Sequence, residues 1–226
     1  MTGLSIFDFD GTLTDKDTFL LFARFVRKRK GMWRAGIKAL PAILEWRLGL
    51  KGSAHAKERL FGALYGGMPL STFTAYGEAF ADVVDRNLRK RGMDELNRAR
   101  ERGDRIAICS ASVPQWIEPW ARRHGIDTVM GTEIEVDADG RLTGRFATPN
   151  CKGPEKVRRV TQIFPDRTDL HVSVYGDSSG DRELLDFADE PHMLRKRSPR
   201  DIRMAGWFAG VVVILALTIL FSWNRY

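Results

Sequence analysis

The chain has 226 residues, of which 43% are hydrophobic and 29% are charged, and its formal net charge is +7. This balance is that of a folded globular chain, so an intrinsically disordered protein is excluded. The two cysteines and four scattered histidines indicate neither a zinc site nor a disulfide framework. The basic balance fits nucleic acid, anionic lipid or a phosphorylated substrate as partner, and only the positions of motifs can decide among these.

The first predicted element is a buried strand over residues 4–9, which ends in two carboxylates, Asp8 and Asp10, on either side of Phe9. Neighbouring carboxylates repel each other and aspartate is a poor strand residue, so a bound cation is the expected compensation. Side chains alternate across a strand, so Phe9 is expected to point to the face opposite the carboxylates.

The segment from 17 to 94 shows mostly helical periodicity and is predicted to form a cap domain inserted after the first strand. Further along the chain, the patterns predict a strand over 104–110, a hairpin over 131–146, a helix over 153–164 and a strand over 170–177. Strands that alternate with helices predict an α/β fold with a Rossmann-like parallel sheet. The expected catalytic core therefore comprises residues 1–16 and 95–198.

Residues 204–223 contain no charged side chain and are predicted to form a transmembrane helix, with 199–203 as its linker. About 20 helical residues span roughly the 30 Å hydrocarbon core of a bilayer. Five basic residues lie within the ten positions before this segment, against Arg225 alone after it. The positive-inside rule then predicts a membrane protein with a single-pass C-terminal anchor and a cytoplasmic catalytic domain.

Polar side chains are predicted at the ends of three neighbouring strands. Asp8 and Asp10 follow the first strand, Ser110 ends the second, and Asp177 follows the strand that begins at residue 170. The carboxyl ends of parallel strands meet at one edge of a sheet, so these side chains are expected to converge. With a lysine near the start of the helix 153–164, they suit phosphoryl transfer: a carboxylate nucleophile, a second carboxylate as acid and base, and oxygen ligands for Mg²⁺.

The segments DFDGTLT and GDSSGD, together with Ser110 and Lys152, resemble in type and order the four motifs of the haloacid dehalogenase-like (HAD) hydrolase superfamily. The helical insert resembles the cap of subfamily IB, which includes phosphoserine phosphatase. The resemblance implies that Asp8 is the nucleophile and that Asp10 is the general acid and base. It also implies a Mg²⁺ cofactor held by Asp8, Asp177 and the main-chain carbonyl of Asp10, with Asp181 supporting the metal shell.

The same resemblance implies that the substrate phosphate is bound by Gly11, Thr12, Ser110 and Lys152. Two positions have competitors: Ser112 lies close to Ser110, and Lys156 lies four residues beyond Lys152. Ser110 is favoured because it directly follows the apolar run. Lys152 is favoured because Lys156 lies one turn further into the helix, where a lysine is expected to be exposed to solvent. Cys109 and Cys151 flank these positions and are expected to be buried filler.

The core motifs leave the substrate open. Asp17 lies where phosphoserine phosphatases carry an acidic residue that reads the substrate amino group, although a helix N-cap is the alternative interpretation. Residues 31–50 combine large apolar groups with cations, as an interfacial membrane helix does, although an amphipathic cap helix is also compatible.

This layout is similar to that of the phosphatidylglycerophosphatase C group of subfamily IB, which implies a phosphoester hydrolase of a phospholipid headgroup such as phosphatidylglycerophosphate. The alternative is a membrane-tethered phosphatase of a small soluble phosphomonoester. A membrane lipid is the expected partner, and no nucleic acid is expected.

Overall fold

The computed structural model describes residues 2–194, without the side chains of residues 28–30. Its central sheet has five parallel strands in the order β3-β2-β1-β6-β7. These are β1 (Thr2–Phe7), β2 (Arg105–Cys109), β3 (Thr128–Met130), β6 (Leu170–Gly176) and β7 (Glu190–Met193); β4 (Ile134–Val136) and β5 (Leu142–Phe146) form a separate antiparallel pair. At the end of the central strand, Phe7 pairs with Ile108 of β2 and with Tyr175 of β6. Three strands therefore end side by side at one edge of the sheet.

Four helices separate β1 from β2 along the chain: α1 (Thr18–Arg47), α2 (Ser53–Tyr65), α3 (Leu70–Asp85) and α4 (Lys90–Glu101). Three more follow, namely α5 (Pro114–Arg123), α6 (Pro154–Ile163) and, after a 3₁₀ turn over Ser179–Asp181, α7 (Arg182–Phe187). The side chain of Asp17 caps α1 by accepting a hydrogen bond from the Leu20 N–H at 3.2 Å. Proline is the first residue of α5 and of α6. The N–H of the first residue makes no hydrogen bond within a helix, so proline, which lacks that N–H, is tolerated there.

The two faces of the sheet enter two separate hydrophobic clusters. Phe7 and Phe9 join aromatic side chains of the cap helices and of α5, whereas Leu4 and Ile6 pack with residues of α6 and α7. Phe9 is fully buried, and its ring meets that of Trp120 edge-on with centroids 5.3 Å apart. The strand alternation expected around Phe9 is therefore present.

The expected α/β architecture with a parallel central sheet is confirmed, and helices fill the predicted insert. The edge strands β3 and β7 are not among the predicted elements, because three or four residues carry too little periodicity. One aromatic cluster runs through both the cap helices and the sheet. The domain boundaries at 16 and 94 stay predictions.

The predicted linker 199–203 and transmembrane helix 204–223 lie outside the described residues. Across residues 2–194, no helix is both long enough and apolar enough to cross a bilayer. The anchor and the cytoplasmic orientation therefore stay predictions.

Candidate active site

The carboxyl edge of the sheet brings together the side chains that follow β1, β2 and β6. Asp8 directly follows β1, and its N–H donates to the Tyr175 carbonyl of β6 at 2.8 Å. Ser110 directly follows β2 and is fully buried, and Asp177 directly follows β6. The structure thus places these three residues together as the strand pattern predicts.

The lysine at this edge is Lys156, which corrects the preference for Lys152. The Lys156 ammonium lies 2.6 Å from Asp8 Oδ1 and 2.6 Å from Asp181 Oδ1, and its side chain is 2% exposed. Lys152 is an exposed residue before α6. Lys156 lies on the buried face of α6 one turn before Val160, so the helix carries it inward toward the sheet.

Burial and the charges of Lys156, Asp8 and Asp181 together shift the pKa values of these three residues. Burial, together with Asp181 and Asp10, raises the pKa of Asp8 to about 8 against the attraction of Lys156. Burial alone would lower the pKa of Lys156, but the two carboxylates outweigh it and raise that pKa, so the lysine stays charged. Burial also opposes ionisation of Asp181, yet Lys156 and the Ser178 donors hold the pKa of Asp181 below its usual value.

Three carboxylates form an acidic cluster. One carboxylate oxygen from each of Asp8, Asp177 and Asp181 can be chosen so that all three lie within 4.8 Å of one another. Asp181 is held in place because its Oδ2 accepts hydrogen bonds from the Ser178 N–H at 3.0 Å and the Ser178 hydroxyl at 2.9 Å. Carboxylate oxygens are the ligands that Mg²⁺ prefers, and of the three residues Asp8 and Asp181 are buried and Asp177 is partly exposed. The residues present therefore fit a divalent cation.

Asp10 lies outside that acidic cluster and is oriented by polar groups of the cap and of the loop after β2. Its Oδ1 accepts from the Thr18 N–H at 2.7 Å, and its Oδ2 accepts from the Ser112 hydroxyl at 2.5 Å. The Thr18 hydroxyl donates to Ser112 Oγ at 3.4 Å and accepts from the Trp116 indole at 3.3 Å. Ser112, a competitor of Ser110 in the sequence, is thus an orienting partner of the predicted acid and base.

The proposed phosphate-binding groups lie in the same region. Ser110 Oγ accepts from the Ser112 N–H at 3.1 Å. Thr12 Oγ1 is buried and has no hydrogen-bond partner within the part of the chain that the structure describes. A side-chain carbon added to Gly11, whose φ is +88°, would fall 2.1 Å from Asp177 Oδ2. Glycine at this position therefore allows the backbone turn and the close approach of Asp177.

Arg89 belongs to the site although no sequence motif predicts it. Its guanidinium donates to the carbonyl of Gly11, and its own N–H donates to the Leu13 carbonyl at 2.8 Å. The residue is 8% exposed, so the contact is held inside the protein. The only sequence signal is the basic run at 89–91, which by composition is typical of a solvated surface.

A model of the haloacid dehalogenase-like hydrolases matches residues 6–186. The chain belongs to this family. Protein CicA of Caulobacter vibrioides is 33% identical over 198 residues, which cover 83% of both chains. A Bordetella pertussis Tohama I protein of unknown function has a solved structure that aligns with a TM-score of 0.69 at 26% identity, over 91% of this chain and 96% of that one.

The structural neighbours of this HAD hydrolase include phosphoserine phosphatases. A probable phosphoserine phosphatase from Vibrio cholerae aligns with a TM-score of 0.60 at 13% identity, over 83% of this chain and 54% of that chain. This likeness concerns the fold. The family match confirms the expected haloacid dehalogenase-like hydrolase superfamily.

At the cap side of the HAD site, two residues of opposite charge lie near Asp10. Asp17 is an exposed residue. Even so, desolvation of its carboxylate by nearby protein and repulsion from Asp10 raise its pKa to about 6. Lys57 of α2 donates to the Ala111 carbonyl at 2.8 Å, and burial lowers its pKa against the attraction of Asp10 and Asp17. Asp17 is thus an N-cap, as the alternative interpretation holds, and it lies near enough to Asp10 for the two carboxylates to repel each other.

Cys109 and Cys151 are both fully buried, and their sulfur atoms lie 3.8 Å apart as free thiols. Each packs in the hydrophobic cluster under α6 and α7. Both cysteines are therefore buried, as predicted from the sequence.

Proposed function

We propose that this HAD hydrolase is a Mg²⁺-dependent phosphomonoesterase that works through an aspartyl-phosphate on Asp8. The observation that carries the proposal is the buried Lys156, which lies between Asp8 and Asp181 at the edge of the sheet. A charged lysine next to the attacking carboxylate attracts the phosphoryl oxygens and offsets their repulsion from the acidic cluster.

The first half of the reaction uses both carboxylates of the strand end. An Asp8 oxygen attacks phosphorus, a new O–P bond forms on Asp8, and the bond between phosphorus and the leaving oxygen breaks. Asp10 donates its proton to that leaving oxygen. The hydrogen bonds from Thr18 and Ser112 hold the Asp10 carboxyl group in a single orientation for this transfer.

The second half reverses the role of Asp10. The Asp10 carboxylate takes a proton from water, the water oxygen attacks phosphorus, and the bond to Asp8 breaks to release inorganic phosphate. Ser110, Thr12 and Lys156 donate hydrogen bonds to the phosphoryl oxygens during both steps. Mg²⁺, when bound by Asp8, Asp177 and the Asp10 carbonyl, supplies further positive charge at the phosphoryl group.

Removal of divalent metal is the first test. EDTA should abolish hydrolysis of p-nitrophenyl phosphate by the full chain, and added Mg²⁺ should restore it. Asp177→Asn should raise the Mg²⁺ concentration for half-maximal activity by about tenfold or more, because one anionic ligand is lost. Asp186→Asn is the matched control, since Asp186 is exposed on α7. Full activity in EDTA would exclude the metal from the mechanism.

We propose a phospholipid headgroup phosphate, such as phosphatidylglycerophosphate, as the substrate. The uncharged segment 204–223 supports this proposal, because an anchored enzyme is held beside lipid substrates. The apolar and basic composition of residues 31–50 supports it as well.

A small soluble phosphomonoester is the second candidate, favoured by the position of Asp17 and Lys57. These opposite charges near Asp10 suit a zwitterionic leaving group such as that of phosphoserine. In this reading the predicted anchor only localises the enzyme.

The two substrate classes are separated by comparing kcat/KM of the full chain for phosphatidylglycerophosphate in mixed micelles and for phosphoserine. The lipid proposal predicts a higher value for the lipid and little change on Asp17→Asn. Preference for phosphoserine, lost on Asp17→Asn, would instead establish the soluble substrate.

A further inference from the structure

The cap helix α1 carries an exposed apolar surface. Nine large apolar side chains are exposed among the described residues, and seven of them lie between positions 25 and 50. Trp33, Ile37, Leu44 and Leu48 are 43%, 49%, 51% and 72% exposed. Exposed apolar groups occur singly on most proteins, so their concentration on α1 and the three residues after it indicates an interaction surface.

Trp33, Ile37 and Leu44 lie along one side of α1, and Leu48 is the C-cap residue directly after the helix. Their spacings of four, seven and four residues bring each back to nearly the same direction on a helix with 3.6 residues per turn. The small residues Ala35, Ala39 and Ala42 are buried. They fall on the opposite side of the helix by the same geometry. We name Trp33, Ile37, Leu44 and Leu48 the apolar stripe; it extends for about 22 Å.

Positive charge lines the border of the apolar stripe. Arg27, Arg34 and Lys38 line a groove of about 520 Å³ between α1 and α2, together with Ile37 of the stripe. The Arg27 Nε–H donates to the Leu64 carbonyl of α2 at 2.6 Å, which holds this side of the groove in place. Apolar side chains beside a basic groove are complementary to a bilayer surface, in which a layer of phosphate groups covers a layer of hydrocarbon.

The balance of charge in this part of the chain is strongly positive. Residues 24–51 contain nine lysines and arginines and a single acidic residue, Glu45. Glu45 is paired with Lys51 and His55, each at 3.4 Å. An acidic surface is therefore attracted here, and a neutral apolar partner would leave the cations without a function.

We propose that the apolar stripe of α1 docks on an anionic phospholipid bilayer, with the groove of Arg27, Arg34 and Lys38 binding lipid phosphates. Aliphatic and indole side chains enter the interface while the long basic side chains reach the headgroups. The sequence of residues 204–223 also predicts a bilayer-spanning segment in the same chain. The proposal concerns membrane binding, so it stands apart from the reaction proposed for the site.

The test uses the full chain with vesicles of phosphatidylcholine, alone or mixed with phosphatidylglycerol, each containing brominated lipid. Bromine quenches indoles that enter the bilayer. The quenching lost on Trp33→Phe therefore reports Trp33 separately from the other tryptophans, including those of the 204–223 segment. We expect this loss in the phosphatidylglycerol vesicles only, and we expect it to shrink as salt is raised.

A double substitution, Ile37→Asp with Leu44→Asp, should abolish the Trp33 quenching in anionic vesicles. Ile163→Asp is the matched control, because Ile163 is 54% exposed on α6, and it should leave the quenching intact. All these positions lie outside the catalytic machinery, so hydrolysis of p-nitrophenyl phosphate should be unchanged. That activity assay keeps a failure of docking distinct from a failure of the proposed function.

Two results would overturn the proposal. One is equal quenching of the wild-type chain and Trp33→Phe in anionic vesicles. The other is a dimer, detected by light scattering in detergent, that the double substitution dissociates, because the apolar stripe would then contact a second copy of the chain.

Discussion

Asp8→Asn is expected to lower kcat/KM for p-nitrophenyl phosphate by about 10⁴-fold or more, because the attacking oxygen is lost. The amide keeps the size of the side chain and the backbone hydrogen bond to Tyr175. Steady-state kinetics measure the loss. Mass spectrometry of rapidly quenched protein should show a phosphoryl adduct on the wild-type chain and none on the variant.

The control for Asp8→Asn is Asp82→Asn, which removes a carboxylate from the exposed ion pair with Arg123. Exposed pairs contribute little to stability, so this variant should keep both its activity and its melting temperature. Circular dichroism establishes that both variants are folded. Wild-type activity in folded Asp8→Asn would show that Asp8 is not the nucleophile.

Lys156→Met is expected to lower kcat/KM by about 10³-fold and the free energy of unfolding by about 3–5 kcal/mol. The substitution leaves Asp8 and Asp181 facing each other in a buried site without the ammonium that now lies 2.6 Å from each. Kinetics and urea denaturation measure the two effects separately.

The matched variant is Lys152→Met, since methionine keeps the aliphatic stem that lies near Gly180. Lys152 is exposed, so its substitution should change the free energy of unfolding by less than about 0.5 kcal/mol and leave kcat/KM near the wild-type value. Loss of activity in Lys152→Met with retention in Lys156→Met would reverse the assignment.

Local patterns were sufficient to predict the positions of Asp8, Ser110 and Asp177. Each follows an apolar run of strand length, and parallel strands end at a common edge whatever their order in the sheet. The same local reasoning placed Phe9 on the other face. The helical insert was predictable for a similar reason, since periodicity is a property of short segments.

Long-range packing decided what local patterns left open. Lys152 and Lys156 have the same side-chain chemistry. Only the packing of α6 against the sheet shows that Lys156 is the one buried beside Asp8. Thr18, Arg89, Ser112 and Trp116 reach the site from the cap and from the loop and helix after β2.

The sequence by itself predicted the hydrolase superfamily and most of the carboxylates that meet at the candidate site, because strand ends are local features and the sheet brings them together. Only the tertiary structure decided which lysine lies beside Asp8, which hydrogen bonds orient Asp10, and which side of α1 is left uncovered. These depend on how helices far apart in the chain pack together, and periodicity shows that a helix has two faces without showing which face another element covers.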